Sequence, residues 1–331
     1  MIFYFSGTGN TKWAAQQLAT ATGEELRYIP DELGHAEPYV LKEGERLGFC
    51  FPTHGWQPPR IVREFIRQTT FEHVGYCYAL TTCGDNMGYA MRIFDKELGK
   101  KGLHTDARFA VVMPESNVCF SFLHLDTDEK ARQKVEAARQ RMTHICQVIQ
   151  ERQRDVEELV KGAIPYTYTY IIGGYYNKHL ITDQHFWVDQ KACIQCGLCQ
   201  KLCPVCDIKG APPAWIHNGR CTCCLACYHH CPVHAINYGS ITRKREQYYF
   251  NKRMITDRKF TVDEDVCIKC GKCAKVCPVD NIEGTPPAWI HNGRCTCCLA
   301  CYHHCPVHAI NYGSITRRRG QYYFNRREDR K

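Results

Sequence analysis

Cysteine is the residue type with the clearest chemical potential in this chain of 331 residues. The sequence holds 24 cysteines, and nineteen of them lie between Cys193 and Cys305. The spacing Cys-x2-Cys-x2-Cys-x3-Cys-Pro occurs four times in that region. At this spacing three thiolates can wrap one face of an iron–sulfur cubane, and the fourth cysteine, which precedes proline, ligates the other cluster of a pair. The predicted iron ligands are Cys193, Cys196, Cys199, Cys203, Cys221, Cys224, Cys227, Cys231, Cys267, Cys270, Cys273, Cys277, Cys295, Cys298, Cys301 and Cys305.

The crossing of the fourth cysteine predicts which thiols share a cluster. Two consecutive runs must fold together, because each run completes the ligand set of the other. The chain is therefore predicted to hold four 4Fe-4S clusters. The expected sets are Cys193, Cys196, Cys199 with Cys231; Cys221, Cys224, Cys227 with Cys203; Cys267, Cys270, Cys273 with Cys305; and Cys295, Cys298, Cys301 with Cys277.

Zinc is the competing occupant, because paired Cys-x2-Cys knuckles also bind this metal. A zinc site needs only four cysteines from two knuckles, so it does not account for the third cysteine or for the x3-Cys-Pro ending. Iron–sulfur chemistry is the favoured interpretation, and a zinc-stabilised binding module is the alternative. Gly197 and Gly271 are expected to let backbone amides approach sulfur, which would tune the reduction potential.

Several cysteines and histidines of these runs fall outside the ligand spacing. Asp280 stands at the position of the repeat that corresponds to Cys206, which argues against a required ligand role for this thiol. We expect these side chains to lie at the surface or beside a cluster without binding it. They are Cys206, Cys223, Cys297, His229, His230, His303 and His304.

The cysteine-rich part is a duplication with a period of 74 residues. Residues Pro212–Asn251 and Pro286–Asn325 agree at 38 of 40 positions. This period is too long for a typical solenoid repeat. The pattern therefore indicates two tandem copies of one small domain.

The first eleven residues, MIFYFSGTGNT, combine a short apolar strand, a loop of small residues and the start of a helical pattern near Asn10. Free amides and the helix dipole at such a corner attract a phosphate group. The loop has no lysine of the kind found in nucleoside-triphosphate-binding loops, so ATP is not expected. The stretch Ser6-x-Thr8-Gly9-x-Thr11 resembles the FMN-phosphate loop of flavodoxins.

Further strands and helices alternate as far as residue 160. This alternation predicts an α/β fold, a doubly wound parallel sheet with helices on both faces, in the flavodoxin-like strand order 2-1-3-4-5. Apolar residues at helical spacing predict one long charged helix, or two, from Asp126 to Val160. The predicted strands are Ile2–Phe5, Arg27–Pro30, Leu47–Phe51, Tyr76–Thr81 and Phe109–Met113, and helices are expected to begin near Asn10, Pro59, Met87 and Thr127.

The resemblance to flavodoxins implies an FMN site at the ends of the first and third strands. The loops PTHGWQPP and TTCGDNMGY follow the third and fourth strands and would hold the isoalloxazine ring. Trp56 is the expected stacking partner on one face, and the second loop has no tyrosine for the other face, which would be more open. The implied FMN-binding residues are Ser6, Gly7, Thr8, Gly9, Asn10, Thr11, Pro52, Thr53, His54, Gly55, Trp56, Thr82, Cys83, Gly84 and Asp85.

The cysteine runs resemble those of bacterial-type two-cluster ferredoxins, and the chain as a whole resembles the flavodoxin–ferredoxin fusion family. The second ferredoxin copy departs from the usual single copy of that family. The resemblance implies a flavodoxin-like FMN-binding domain over residues 1–160 and an aromatic linker over 161–182. Two small α+β ferredoxin-like domains, each with two 4Fe-4S clusters, would then cover residues 183–256 and 257–326, followed by a basic tail at 327–331.

These parts together predict an electron-transfer flavoprotein. FMN would exchange electrons with the four 4Fe-4S clusters and so relay low-potential electrons between a redox donor and a partner protein. No residue is predicted to serve as an acid, base or nucleophile, so the chain is expected to be an oxidoreductase component without dedicated catalytic residues. The alternative is a flavin-dependent reductase of a small substrate that uses the clusters as its electron supply.

The net charge of +9 does not imply a nucleic-acid partner. Residues 163–331 carry 23 basic and 12 acidic side chains, whereas residues 1–162 carry 20 and 22. Each cluster with four thiolates adds about −2, which would offset most of the basic excess. We expect no membrane span and no secretory signal, and the many unpaired thiols favour a reducing, anaerobic cytoplasm.

Overall fold

The structure is a computed structural model that describes residues 1–119, 124–250, 260–290, 295, 299–313, 316 and 320–321. By its internal contacts the chain divides into two units, Met1–Cys231 with Ala235–Asn251 and Pro232–His234 with Lys252–Lys331. The flavodoxin-like part and the first ferredoxin copy thus belong to one unit. The predicted boundary between residues 256 and 257 and the basic tail at 327–331 lie outside the described residues.

A six-stranded parallel sheet forms the centre of the first part of the chain. Its strands have the order β2-β1-β4-β6-β7-β8, and β3 and β5 form a separate parallel pair. The strands are β1 (Ile2–Tyr4), β2 (Leu26–Tyr28), β3 (Tyr39–Val40), β4 (Leu47–Pro52), β5 (Phe71–Glu72), β6 (Cys77–Cys83), β7 (Ala107–Val112) and β8 (Val156–Glu158). The predicted order 2-1-3-4-5 is confirmed for the first five strands of the main sheet, and β8 adds a sixth strand at the edge.

Helices cover both faces of this sheet, as predicted. They are α1 (Asn10–Thr22), α2 (Ile29–Glu32), α3 (Arg60–Gln68), α4 (Ala90–Gly99) and α5 (Asp128–Gln150). Alternate residues of a strand point to opposite faces, so Phe3 packs with the side chains of α3 and α4, whereas Ile2 packs with those of α1 and α5. Both faces of each inner strand are therefore buried, as parallel sheets require.

The prediction that the last helix of this part continues to Val160 is wrong beyond Gln150. The backbone adopts positive φ angles of 53° at Arg152 and 59° at Asp155, which turn the chain back toward the sheet. Val156 then pairs with Ala107 of β7 in parallel register. Pairing with the edge of β7 gives this segment its strand conformation, because its charged residues carry no strand pattern of their own.

The linker forms a helical segment that packs on the sheet domain. It contains π-helical turns at Thr167–Ile172 and Tyr176–Leu180 around α6 (Gly173–Tyr175). The backbone oxygen of Thr169 accepts a hydrogen bond of 3.0 Å from the side chain of Gln57, and the Thr169 hydroxyl accepts one of 2.7 Å from the amide of Tyr89. No helix of the described chain combines the length and apolar character that a membrane crossing requires.

Within the described residues, each ferredoxin copy contains two antiparallel strand pairs and two short α-helices. The first copy has β9 (Phe186–Val188), α7 (Leu198–Leu202), β10 (Ile208–Lys209), β11 (Ala214–Trp215), α8 (Ala226–His229) and β12 (Ile236–Tyr238). The second has β13 (Phe260–Val262), α9 (Lys272–Lys275), β14 (Ile282–Glu283), β15 (Ala288–Trp289), α10 (Ala300–His303) and β16 (Ile310–Tyr312). β9 pairs with β12 and β10 with β11, and the second copy repeats this with β13–β16 and β14–β15. The predicted fold class, a flavodoxin-like sheet followed by small α+β ferredoxin-like domains, is confirmed.

A glycine in the central sheet gives a test of this packing. A side-chain carbon at Gly48 of β4 would lie 2.5 Å from the ring of Tyr78, which is fully buried in β6. We therefore expect Gly48→Ala to destabilise the protein by about 1–3 kcal/mol, as overpacked cores do. The temperature of unfolding, followed by circular dichroism on anaerobic protein, measures the loss. Gly75→Ala is the matched control, since nothing lies within 4 Å of that position; equal unfolding temperatures for the two variants would contradict the prediction.

Candidate functional site

A cavity opens at the carboxyl end of the parallel sheet, with about 610 Å³ of empty space that includes the open solvent at its mouth. Loops after β1, β4, β6 and β7 form its walls, which is where flavodoxin-like sheets bind ligands. Eleven of the fifteen predicted flavin-binding residues line it, namely Ser6, Gly7, Thr8, Asn10, Thr11, Pro52, Thr53, His54, Thr82, Cys83 and Gly84.

The loop after β1 has the form that an anion site needs. Gly9 precedes α1 with a φ of 94°, and no side chain among the described residues caps the first turn of this helix. The Ser6 hydroxyl accepts a hydrogen bond of 3.0 Å from the Gly9 amide and so shapes the loop. The helix dipole and the amides of its first turn favour a phosphate here, and the residues present fit the phosphate of FMN.

Trp56 does not line the cavity. Its indole ring stacks on Tyr168 of the linker at 5.3 Å, and its Nε1 donates a hydrogen bond of 2.9 Å to Asn86. Gly9, Gly55 and Asp85 are also not among the lining residues. The linker helix explains this arrangement, because it offers Trp56 an aromatic partner on the side of the loop away from the cavity.

Tyr176 of the linker lines the cavity, which the sequence analysis did not anticipate. Its ring packs against Gly55, where any side chain would overlap it, and Asn117 donates a hydrogen bond of 3.3 Å to its hydroxyl. The segment after β7 is the second unexpected wall; its lining residues are Met113, Pro114, Glu115, Ser116 and Asn117. The position of this segment directly after the fifth predicted strand could have indicated that it lines the cavity. Local sequence contains no comparable indication that the linker approaches the cavity.

Burial holds two titratable side chains of the cavity, His54 and Cys83, in their neutral forms near pH 7. Burial lowers the pKa of His54 to about 4, so its imidazole is neutral near pH 7, and its Nδ1 is buried without a hydrogen-bond partner among the described residues. Burial, with the charges of Glu115 and Asp85, raises the pKa of the Cys83 thiol to about 12.

The second cysteine run of the first ferredoxin copy forms another wall of the same cavity. Cys223, Cys224 and Leu225 all line it. Gly7 lies so close that a side-chain carbon there would overlap the carbonyl oxygen of Cys224 and come within 2.9 Å of its Cβ. The phosphate-type loop and the cysteine run are thus in direct backbone contact.

The thiols of the first copy fall into two groups. Burial raises the pKa of Cys227, and the charges of Cys224, Cys221 and Cys203 raise it further, so these thiols are electrostatic neighbours. Burial likewise raises the pKa of Cys199, with added contributions from Cys231 and Cys196. These neighbours are the ones expected when the fourth cysteine crosses over. Over the described part of the chain, no three His, Cys, Asp or Glu side chains are close enough to hold a single metal ion.

In the second copy the electrostatic neighbours of Cys273 follow the same pattern. Burial raises the pKa of Cys273, and the charges of Cys270 and Cys305 add to the effect. Cys298, a predicted ligand, and Cys297, a predicted non-ligand, lie outside the described residues. No disulfide joins the cysteines that the structure describes.

Every cysteine that precedes proline accepts a backbone hydrogen bond from the residue four positions later. The donors to Cys203, Cys231, Cys277 and Cys305 are the amides of Asp207, Ala235, Asn281 and Ala309, at 3.2, 3.2, 3.3 and 3.3 Å. The residue before each donor has a positive φ, namely Cys206, His234, Asp280 and His308. This turn aims the amide at sulfur, and such hydrogen bonds raise the reduction potential of a cluster.

Cys206 therefore occupies a turn position that accepts cysteine, aspartate or histidine, and its thiol is exposed. Gly197 and Gly271 have φ angles of 70° and 66°, and the equivalent positions of the second runs hold Leu225 and Leu299 at 59° and 58°. These positions need a left-handed turn rather than space, since nothing lies within 4 Å of where a side chain of Gly197 would begin.

His229 lies in the interior and not at the surface. Its Nδ1 accepts a hydrogen bond of 2.9 Å from the Tyr248 amide, so its Nε2 donates the bond of 2.7 Å to the Ser116 carbonyl oxygen. His230 bonds the carbonyl of Ala226 at 3.0 Å within its own helix. Both imidazoles thus have backbone partners, and His229 ties the first ferredoxin copy to the segment after β7.

Comparison with known proteins finds similarity within the cysteine runs. Residues 220–281 match the family model described as the 4Fe-4S dicluster domain. The polyferredoxin protein MvhB of Methanothermus fervidus is 33% identical over 91 residues, which cover 28% of this chain and 20% of that protein. An uncharacterised polyferredoxin-like protein of Methanocaldococcus jannaschii is 29% identical over 115 residues, which cover 31% of this chain and 46% of that protein. The chain thus spans about a fifth and about half of the length of these curated relatives.

Among solved structures, the Flv1 flavodiiron core from Synechocystis sp. is similar with a TM-score of 0.25 and 18% identity, covering 44% of this chain and 36% of that chain. The flavodoxin-like assignment rests on the strand order of this structure itself. The chain combines a flavodoxin-like sheet with ferredoxin-like modules of the 4Fe-4S type.

The stretch that matches the dicluster family begins in one copy and ends in the other. It contains the second cysteine run of the first copy, Cys221–Cys231, and the first run of the second copy, Cys267–Cys277. The strands instead pair within each copy, β9 with β12 and β13 with β16. Four similar runs in a row match a two-run pattern in more than one frame, and strand pairing decides which runs fold together.

Substitutions at Cys203 and Cys206 test which cysteine of this turn binds iron. We expect Cys203→Ser to lower the iron content by about a quarter or more, because it removes a thiolate from one cluster of four. Cys206→Asp, which copies Asp280, should leave iron and acid-labile sulfide unchanged. Chemical analysis of both variants after anaerobic purification gives the measurement. Loss of iron in Cys206→Asp alone would show that the exposed thiol is the ligand.

Proposed function

We propose that this chain is an electron-transfer flavoprotein that couples FMN to four 4Fe-4S clusters and relays low-potential electrons between a redox donor and a partner protein. One observation carries the proposal. The cavity at the carboxyl end of the sheet is walled both by the phosphate-type loop, at Gly7, and by the second cysteine run, at Cys223 and Cys224. A flavin held there would lie beside the thiolates of a cluster.

The residues of the cavity support FMN as its occupant. Ser6, Gly7 and Thr8 with the start of α1 would bind the phosphate, and the neutral His54 would meet a polar edge of the ring. Tyr176 takes over the aromatic role first expected of Trp56, because it is the ring that lines the cavity. When bound, FMN supplies exchange of either one or two electrons, which matches it to carriers of single electrons.

The sixteen cysteines of the four runs are the proposed cluster ligands, in the crossed sets given above. In the first copy the set of Cys203, Cys221, Cys224 and Cys227 is the one beside the cavity. Leu225 and Val205 exclude water from its surroundings, each with 5% or less of its surface exposed. The set that contains Cys196 has an exposed thiol, which suits a group that meets outside partners. Burial and hydrogen bonding of this kind set the potentials of such clusters.

The alternative, a reductase of a small substrate at the flavin, requires one open face of the ring. Tyr176 and the run from Cys223 to Leu225 also line the cavity. The position of the cysteine run beside the proposed flavin site supports the relay. Membership in the flavodoxin–ferredoxin fusion family, the domain limits at residues 160, 182, 256 and 326, and redox proteins as partners complete the proposal.

Cofactor analysis tests the proposal directly. Protein purified without oxygen should contain about sixteen iron and sixteen sulfide per chain and one FMN. Titration of the reduction potential with electron paramagnetic resonance should show signals of 4Fe-4S clusters, and the flavin absorbance should change with them. Zinc without sulfide would contradict the iron–sulfur assignment, and clusters without retained flavin would contradict the relay.

Substitution at Gly7 tests the contact between loop and cysteine run. The φ of Gly7 is not in the left-handed region, so alanine changes only the space against Cys224. We expect Gly7→Ala to weaken FMN binding roughly tenfold, since overpacking typically costs about 1–3 kcal/mol. Quenching of flavin fluorescence measures the affinity. Gly99→Ala is the control, because nothing lies within 4 Å of that position; unchanged FMN affinity in Gly7→Ala would argue against a phosphate in this loop.

A further inference from the structure

One carboxyl group on the wall of the flavin cavity has no role in the proposed relay. Glu115 follows β7, and its Oε1 accepts hydrogen bonds of 2.8 Å and 2.7 Å from the amides of Ser116 and Asn117. The hydrogen bonds that described residues give to this carboxyl all reach Oε1. Oε2 lies against Gly84, where any side chain would overlap it, in the loop that follows β6 and lines the same cavity. One oxygen is therefore fixed, and the other lies beside the proposed ring-binding loop.

Three other titratable side chains that line the cavity are poorly suited to exchange a proton near neutral pH. The pKa of His54 is lowered to about 4 by burial, and that of Cys83 is raised to about 12. Burial also raises the pKa of Tyr176 well above its usual value. Burial raises the pKa of the Glu115 carboxyl as well, which moves this pKa toward neutral pH. Among these four lining groups, Glu115 is the one whose shift brings it closer to physiological pH.

The charges that face Glu115 come from three elements. Lys134 of α5 lowers its pKa, whereas Asp126, just before that helix, raises it. The Nζ of Lys134 donates hydrogen bonds of 2.6 Å to the Asp126 carboxylate and 2.8 Å to the carbonyl oxygen of Gly84. Lys130 pairs with Asp126 at 2.9 Å and is exposed, and Asp85 completes the set from the loop after β6. This ion network leads from the cavity wall to solvent.

We propose that Glu115 is the residue that exchanges a proton with the flavin during its reduction and reoxidation. The inference rests on the proposed FMN site. In each transfer the O–H bond of the carboxyl breaks and an N–H bond forms on the isoalloxazine ring, while the matching electron comes from a cluster. The carboxylate then regains a proton from water through the side of the network at Lys130 and Asp126. Reoxidation reverses both movements, so protons and electrons balance.

The pH dependence of the flavin potential tests this role. In the native chain the midpoint potential, measured by spectroelectrochemistry, should change slope where Glu115 titrates. Glu115→Gln should abolish that change of slope. Asp126→Asn removes a negative charge that raises the pKa of Glu115, so the change of slope should move to lower pH by about half a unit or more. Glu136→Gln, an exposed position of the same helix as Lys134, is the control and should behave as the native chain.

An infrared difference spectrum between oxidised and reduced protein gives a second readout. A carbonyl band of a protonated carboxyl should shift between the two states in the native chain, because the charge on the neighbouring ring changes while the carboxyl regains its proton, and this band should be absent in Glu115→Gln. Two results would overturn the role of Glu115 and leave the proposed relay intact. One is a Glu115→Gln variant that retains FMN and still shows the change of slope; the other is an Asp126→Asn variant in which the change of slope stays at the native pH. A native chain that retains no FMN would instead refute the proposed function.

Discussion

The absence of a side chain at residue 7 is the constraint on which the rest of the site depends. Gly7 allows the carbonyl of Cys224 to lie directly against the phosphate-type loop, and a methyl group there would overlap it. The contact is extended by Val205, which packs in the same apolar core as the sheet domain. Tyr248 donates a hydrogen bond of 2.7 Å to Asn10 at the start of α1. Apolar burial and these polar contacts together make one unit of the sheet domain and the first ferredoxin copy.

The cysteine runs achieve their geometry with repeated backbone turns rather than with unusual side chains. Positive φ angles recur at equivalent positions, and the turn residues range from glycine to leucine and from cysteine to aspartate and histidine. A left-handed residue costs free energy when it carries a side chain. The structure accepts that cost at Leu225 and Leu299, each of which stands directly before the short helix of its cysteine run. The same logic explains why an exposed cysteine and an aspartate are interchangeable at 206 and 280.

Local pattern was sufficient for the strand–loop–helix corner, and the cysteine sets that it predicts enter the proposed function. The five strands of the main sheet were predicted within two residues at nearly all ends, because both faces of a parallel sheet are buried and its strands read as apolar runs. The sixth strand, Val156–Glu158, was missed, since a short charged edge strand carries no such signal. Trp56 was predicted to stack on the flavin because of the position of its loop. Loop position does not reveal that the Trp56 ring stacks on Tyr168 instead.

The sequence by itself determined the chemistry of this protein, because cysteine spacing is set by the size of a cluster and a glycine-rich corner before a helix is set by the needs of a phosphate. Tertiary structure alone decided which parts meet. The linker tyrosine, the carboxyl of Glu115 and the second cysteine run converge on one cavity from positions up to about a hundred residues apart, as Glu115 and Leu225 are. Such convergence follows from the packing of apolar surfaces over long separations, and no periodicity along the chain records it.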